Sequence, residues 1–345
     1  MSIHKLFTPR RVGVCGSSMG LTKAAAVFCQ AAGAELAKND NIVIISGGTH
    51  KRAGTPPEDL AADWHIVSAA EQEIRKRCGR EAIDTRIETV IISGVDPHDD
   101  ERFQIGTSKP TRGKTREARR FSFVRSLDGL FAVAGRGGTG QELSLAMELE
   151  KPVLPVPMFD GASAQFWRSY ETDLMQLLQI DRAAADRWLS SPPSEIGAIR
   201  QLAVEMVTAL LAAIPRRCFV IMPFSEEYVS LYDFVIEPAL SSVGDAAIRL
   251  DRTGIPGDTG HQIRAGIKSC DYAIAVLDGL RPNVLYELGL AHAYGKRTII
   301  MNRAGAFGDA SAPFDLAVQQ RIEYPTLDSG LVDRLKNAIK SLPPT

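Results

Sequence analysis

Neither sign of charge prevails in this 345-residue chain: 40 lysines and arginines stand against 41 aspartates and glutamates, a net charge of −1. That balance gives no whole-chain attraction to nucleic acid or to an anionic membrane, and neither is expected as a partner. Cysteine is scarce. Cys15, Cys29, Cys78, Cys218 and Cys270 are scattered, odd in number and free of CxxC or Cys/His ligand spacing. A disulfide-built secreted domain and a metal site are therefore disfavoured. Long apolar runs are missing too. The longest, Leu202 to Ile214, is broken by Glu205 and Thr208 and falls short of the ~18 residues of a membrane span. Met1-Ser-Ile-His-Lys5 has no apolar core of the signal-peptide kind. The expectation is a reduced, cytoplasmic protein.

What is present is an ordinary globular mixture, 45% apolar and 23% charged. The length suits two domains, each large enough for its own core. Short β-rich runs, small-residue turns and amphipathic stretches alternate, which predicts parallel α/β architecture. In the first half, strands are expected at Arg11–Cys15, Asn41–Ser46, Arg86–Ser93, Leu127–Ala132 and Pro152–Val156. Helices are expected at Thr22–Lys38, Glu58–Arg77, Lys114–Arg125 and Gly138–Glu150. Gly94–Gly113 reads as a long polar loop. Helices then follow at Ala162–Gln179, Ala183–Leu189 and Ile196–Ile214. The pattern restarts with strands at Cys218–Met222, Ala246–Leu250, Asp271–Leu277, Arg297–Met301 and Ile322–Tyr324. Helices Tyr228–Val243, Thr259–Ser269, Asn283–Tyr294 and Leu331–Ser341 lie between and after them. The expected domains are 1–190 and 217–345, with 191–216 as a helical linker.

Three small-residue turns follow strands: Gly16-Ser17-Ser18, Ser46-Gly47-Gly48-Thr49 and Ala134-Gly135-Arg136-Gly137-Gly138-Thr139-Gly140-Gln141-Glu142. Glycine lets a backbone approach a phosphate closely, and a helix N-terminus offers free N–H groups and partial positive charge. Three such turns on one sheet edge outline an anion-binding rim. Lys109 to Arg120 carries six basic residues and one acid, a cationic wall for a phosphorylated ligand. No aromatics interleave with these charges, as they would in a single-strand nucleic-acid groove.

These elements resemble the LOG (lysine-decarboxylase-like) family and the wider SLOG superfamily, over roughly residues 10–160. The LOG phosphate motif P-G-G-x-G-T-x-x-E is matched at Gly135, Gly138, Thr139 and Glu142. Ala134 stands for its proline and Arg136 for its second glycine. The resemblance places the family's catalytic arginine at Arg119 and nucleotide contacts at Gly16, Ser17 and Gly47. LOG enzymes cleave the N-glycosidic bond of nucleoside 5′-monophosphates. The departures here, Arg136 intruding on the phosphate cradle and Arg116-Glu-Ala-Arg119 replacing a histidine-containing run, favour a nucleotide sensor. The resemblance implies signals of the cyclic ADP-ribose type.

In the second half, Asp278 ends a strand, Pro282 and Asn283 open a helix with Asn283 as N-cap, and Glu287 falls in the second turn. The nearby positive helix end favours an ionised Glu287. A carboxylate there can attack an anomeric carbon or stabilise an oxocarbenium-like transition state. Cys218-Phe-Val-Ile-Met-Pro-Phe224, Cys270-Asp271 and Pro282-Asn-Val-Leu-Tyr-Glu-Leu-Gly289 resemble the TIR-like and nucleoside 2-deoxyribosyltransferase-like superfamily, over about residues 217–302. The resemblance implies a flavodoxin-like domain beside a Rossmann-like N-terminal one. It implies Glu287 as catalytic carboxylate, Phe224 lining the base pocket, Asp278 and Asn283 on ribose, and Gly254–Gly260 as a further wall. By co-occurrence of such modules in bacterial antiviral systems, it implies a nucleotide-gated cleavage of NAD⁺. Nucleoside or deoxynucleotide metabolism and a non-catalytic scaffold remain the alternatives. No cofactor is expected, NAD⁺ entering as substrate and the nucleotide as activator. A homo-oligomer formed or rearranged on ligand binding is expected.

Overall fold

The computed structural model describes residues 9–18, 20–48, 60–92, 105–250, 259–306 and 321–342. The chain divides between Ile214 and Pro215 into two compact units, each built on an all-parallel sheet with interleaved helices.

In the first unit, β1 (Arg10–Gly16), β2 (Ile42–Ser46), β3 (Ile87–Ile91), β4 (Thr107–Pro110), β5 (Gly129–Val133) and β6 (Val153–Val156) lie in the order β4-β3-β2-β1-β5-β6. The helices are α1 (Lys23–Lys38), α2 (Ala62–Cys78), α3 (Arg116–Ser126), α4 (Gly137–Glu148), α5 (Ala162–Ser169), α6 (Glu171–Leu178), α7 (Arg182–Leu189) and α8 (Ile196–Ala213). Every residue of β2 and β5 is buried. That explains why these strands read as unbroken apolar runs rather than alternating ones. The order reverses between β1 and β5, so the crevice of this doubly wound sheet opens at their carboxyl ends.

α1 starts where the Thr22 hydroxyl accepts from the Ala25 N–H at 3.1 Å. It lies close against α2, and a Cβ on Gly33 would stand 2.0 Å from the Ile66 carbonyl oxygen. Gly33→Ala should therefore destabilise this unit by about 1–3 kcal/mol, despite alanine's better helix propensity. All three tryptophans, Trp64, Trp167 and Trp188, belong to this unit. A lowered urea midpoint in tryptophan fluorescence is the readout.

Three expectations for this half need correction. β4 lies inside the stretch expected to be loop. It pairs with β3 from Glu88↔Thr107 to Ile91↔Pro110. Its residues are mostly exposed and polar and end in proline, as suits an edge strand, so no apolar alternation marks it. Residues 94–104 of that stretch lie outside the described residues. The second correction concerns α8, expected as a linker. Its Ile199, Ala203, Met206, Val207 and Leu210 are buried in the first unit's core. By length and composition alone, this 18-residue helix is apolar enough to cross a membrane. The buried stripe makes up only 28% of the helix, and Ile196 and Val204 are exposed. Ala162–Gln179 also proves to be two helices, parted at Tyr170, whose backbone (φ −128°, ψ 26°) leaves the helical region.

In the second unit, β7 (Arg217–Ile221), β8 (Ala246–Ile248), β9 (Tyr272–Val276), β10 (Arg297–Arg303) and β11 (Arg321–Tyr324) lie in the order β11-β10-β9-β7-β8. This is the flavodoxin-like order, and its crevice lies at the carboxyl ends of β7 and β9. The helices α9 (Thr259–Ser269), α10 (Pro282–Ala293) and α11 (Ser329–Ser341) accompany a helical stretch after β7. That stretch loosens into a π-turn at Tyr232–Ile236, just before Pro238, which cannot donate a helical hydrogen bond.

Both units start their central strand with one device. The Arg11 N–H donates to Asp128 Oδ2 at 2.9 Å while the Asp128 N–H donates to the Arg11 carbonyl at 2.7 Å. Arg217 and Asp271 exchange the same pair, each at 2.8 Å. These aspartates stand at the amino ends of the sheets, away from either crevice.

Candidate functional site

The three glycine turns meet as their positions after β1, β2 and β5 require. They border a cleft of about 310 Å³. Of the residues singled out in the sequence, Gly16, Gly47, Arg119, Gly138, Thr139 and Glu142 line it. Ser17 and Gly135 stand beside it as structural members. The Ser17 N–H donates to the Val133 carbonyl at 3.1 Å, and its carbonyl accepts from Ala62 at 2.9 Å. Gly135 has φ +86°, and a Cβ there would stand 2.2 Å from the Thr139 hydroxyl oxygen. Ala134, at φ 55°, carries the neighbouring strain in a non-glycine residue. Thr49 lies outside the described residues.

The start of α4 is uncapped and held in place by its neighbours. The carbonyls of Ala134 and Gly135 accept from the first N–H groups of α5, Ser163 and Ala162, each at 2.9 Å. The Thr139 hydroxyl donates to the Gly16 carbonyl at 3.2 Å, fastening α4 to the end of β1. No side chain caps α4, and the N–H groups of Gly137, Gly138 and Thr139 find no acceptor among the described residues. Such orphan donors, at the positive helix end, suit phosphate oxygens. Arg136, expected to intrude on the cradle, instead takes the cap position in extended conformation (φ −126°) with its side chain exposed. That side chain makes no hydrogen bond or ion pair with the described residues.

Arg119, on α3, pairs with Glu142 of α4 at 3.5 Å and donates to the Gly47 carbonyl at 3.2 Å. Burial raises the Glu142 pKa above its ordinary value, against the opposing pull of Arg119. Burial and then the Glu142 charge push the Cys15 thiol well up, so Cys15 is no thiolate nucleophile. Sequence reasoning did not assign Asp63, Cys15, Arg116 and Arg120 individually to this cleft, though they line it. The run of basic residues signalled the two arginines. Nothing local signalled Asp63, which reaches the cleft from α2 and accepts from the Ser46 hydroxyl at 2.9 Å.

A Cβ on Gly47 would stand 2.3 Å from Arg119 Nη1, the far end of a flexible side chain. Gly47→Ala should displace that guanidinium and weaken AMP binding about tenfold by titration calorimetry. The urea midpoint should stay within about 0.5 kcal/mol, because the obstacle is movable.

In the second unit, the structure alters several expectations. Pro282 takes the first helical position of α10 and Arg281 the cap, so Asn283 is not the N-cap; it is exposed in the first turn. Phe224 follows β7 at the crevice and is 48% exposed. Asp278 follows β9, but both its oxygens are engaged: the Arg303 N–H donates at 2.6 Å and the Tyr324 hydroxyl at 2.8 Å. It borders a cavity of about 410 Å³ with Glu227, Tyr228, Arg281 and Arg303, which Glu287 does not line. The structure thus does not bring Asp278 and Glu287 together in one described cavity. Residues 254–258 of the expected further wall lie outside the described residues. His292, near the end of α10, is exposed.

Glu287 sits on the buried stripe of α10 with Val284, Leu288 and Ala291, and is 4% exposed. Its carboxyl group has no hydrogen bond or ion pair among the described residues. Burial raises its pKa to about 7, overriding the helix-end preference for the ionised form. A raised folded-state value means that neutral Glu287 contributes stability in full below its ordinary 4.5, and that this is lost as pH rises through about 7. The gap corresponds to about 3 kcal/mol. Glu287→Gln, neutral throughout, should be the more stable protein above pH 7, with the difference shrinking toward pH 5. Scanning calorimetry across that range checks it.

Comparison with known proteins adds little. No protein-family model matches the chain, and no curated protein matches it in sequence. Solved structures similar to it include the molybdenum cofactor carrier protein of Chlamydomonas reinhardtii, at 18% identity and TM-score 0.34, over 58% of this chain and 99% of that one. The molybdenum cofactor binding protein of Rippkaea orientalis follows at 20% identity and TM-score 0.31, over 42% and 74%. DNA processing protein A of Helicobacter pylori has 16% identity and TM-score 0.32, over 51% and 83%. At these identities and scores the likeness carries no argument about ligand or chemistry.

Proposed function

We propose that the chain is a nucleotide-gated N-glycosidase: the first unit binds a phosphorylated nucleotide signal, and the second cleaves NAD⁺ with Glu287 as the essential carboxylate. The observation that carries the catalytic half is Glu287 itself. A buried carboxyl group that has no partner among the described residues, its pKa pushed up to about 7 by burial, is costly to a fold and useful to chemistry. Its motif, Pro282 to Gly289, supports the TIR-like assignment by resemblance. In the reaction, the bond from C1′ to the nicotinamide nitrogen breaks and nicotinamide leaves with the electron pair. Ionised Glu287 stabilises the developing positive charge at C1′ or bonds to it. Water then supplies hydroxide to C1′ and releases a proton. The sensing half is supported by the exposed Arg116 and Arg136, the open amides of α4 and the Arg119–Glu142 pair.

A second reading is favoured by that pair: a half-buried arginine and a buried glutamate beside a phosphate cradle are also the LOG-type combination for nucleoside 5′-monophosphate cleavage. A substrate panel of NAD⁺, deoxynucleosides and nucleoside 5′-monophosphates, followed by chromatography of the released base, separates the two. Base released from NAD⁺ supports the first reading. Base released only from monophosphates, and lost in Arg119→Ala, supports the second.

A further inference from the structure

The start of α4 divides two cavities, not one. The stripe Gly138, Thr139 and Glu142 faces the arginine cleft, while Gly137, Gly140 and Ser144 line a neighbouring groove of about 480 Å³. Arg136 borders both. Each volume lies in the ordinary range for a small-molecule site.

The groove has the chemistry of a base-binding slot. Tyr170 is 40% exposed, and its ring centroid lies 4.6 Å from that of Phe166, which is 7% exposed and fixes it from behind. Gln165, Ser144 and Ser169 supply amide and hydroxyl groups along the same groove. Small residues keep the walls thin. Gly161, at φ +122°, would with a Cβ stand 2.6 Å from the Gly135 carbonyl oxygen, and a Cβ on Gly140 would already touch that of Ala162 at 3.8 Å. An exposed aromatic ring beside hydrogen-bonding side chains suits the face and edge of a nucleobase. Between the two cavities stand the only elements a bridging phosphate needs: an exposed guanidinium without a described partner and the uncapped amides of α4.

We propose that the first unit binds a two-base dinucleotide. One nucleotide lies in the arginine cleft, the bridging phosphates lie against Arg136 and the α4 amides, and the second base stacks on Tyr170. This inference rests on reading the cleft as a nucleotide site and names the ligand class that the joined cavities would take.

The test is calorimetric titration of the full chain with AMP and with diadenosine diphosphate. Wild type should bind diadenosine diphosphate at least about tenfold more tightly than AMP. Tyr170→Ala should remove about tenfold of the dinucleotide affinity while changing AMP affinity less than twofold. Ser144→Trp, which fills the groove from an exposed helix position, should do the same by a different route. The inference is overturned, with the cleft reading intact, if AMP binds but the dinucleotide binds no tighter, or if both variants bind it as wild type does. Failure to bind either probe overturns the cleft reading and this inference with it.

Discussion

Glu287→Gln should lower nicotinamide release from NAD⁺ by about 10³-fold or more, with little change in NAD⁺ affinity. Glutamine keeps the size and the buried stripe of α10, so the substitution removes charge and little else. The neutral amide can neither bond to C1′ nor balance positive charge there. In the proposed reaction Glu287 acts ionised, and burial raises its pKa to about 7, so kcat/KM for the wild type should climb through neutrality and level off above it. A residue that merely packs would show the stability effect described above without this pH profile. A non-catalytic scaffold would keep its function in the variant.

Arg119→Ala should weaken AMP binding about a hundredfold, the second large effect. The guanidinium joins two parts of the cleft, the Gly47 carbonyl and Glu142. Its loss removes the cation and leaves Glu142 buried without its partner. Glu142 should then take up a proton, so the cleft loses one positive charge without gaining a fixed negative one. Nicotinamide release should no longer respond to added nucleotide. Lysine at this position should restore binding only in part, since one ammonium cannot span the two contacts as a planar fork does.

The elements most legible in the sequence were those with a local signal. β2 and β5 were plain because buried parallel strands are continuous apolar runs. The cleft glycines were plain because turns after parallel strands share one sheet edge. β4 was hidden because an exposed edge strand needs neither alternation nor apolar content. Asp63 was missed because it comes to the cleft from α2, a helix placed by tertiary contacts at Gly33 of α1 and at Ser17 after β1. The cap at Asn283 was misread because Pro282, which has no N–H to lose, fits the first helical position better. The charge state of Glu287 was misjudged for a deeper reason. Spacing placed it near a positive helix end, but burial against the sheet is a tertiary fact and outweighs the helix field. Asp278 fell where expected, and only the partners Arg303 and Tyr324, distant in sequence, reveal that its oxygens are occupied.

In the proposed function, a nucleotide bound in the first unit switches on a carboxylate in the second. The most direct test is nicotinamide released from NAD⁺ by the purified full chain, with and without a panel of cyclic, linear and dinucleotide ligands, beside Glu287→Gln. The account predicts release that one ligand class switches on in the wild type and that is absent in the variant. Release that persists in Glu287→Gln, or no release with any ligand, would contradict it.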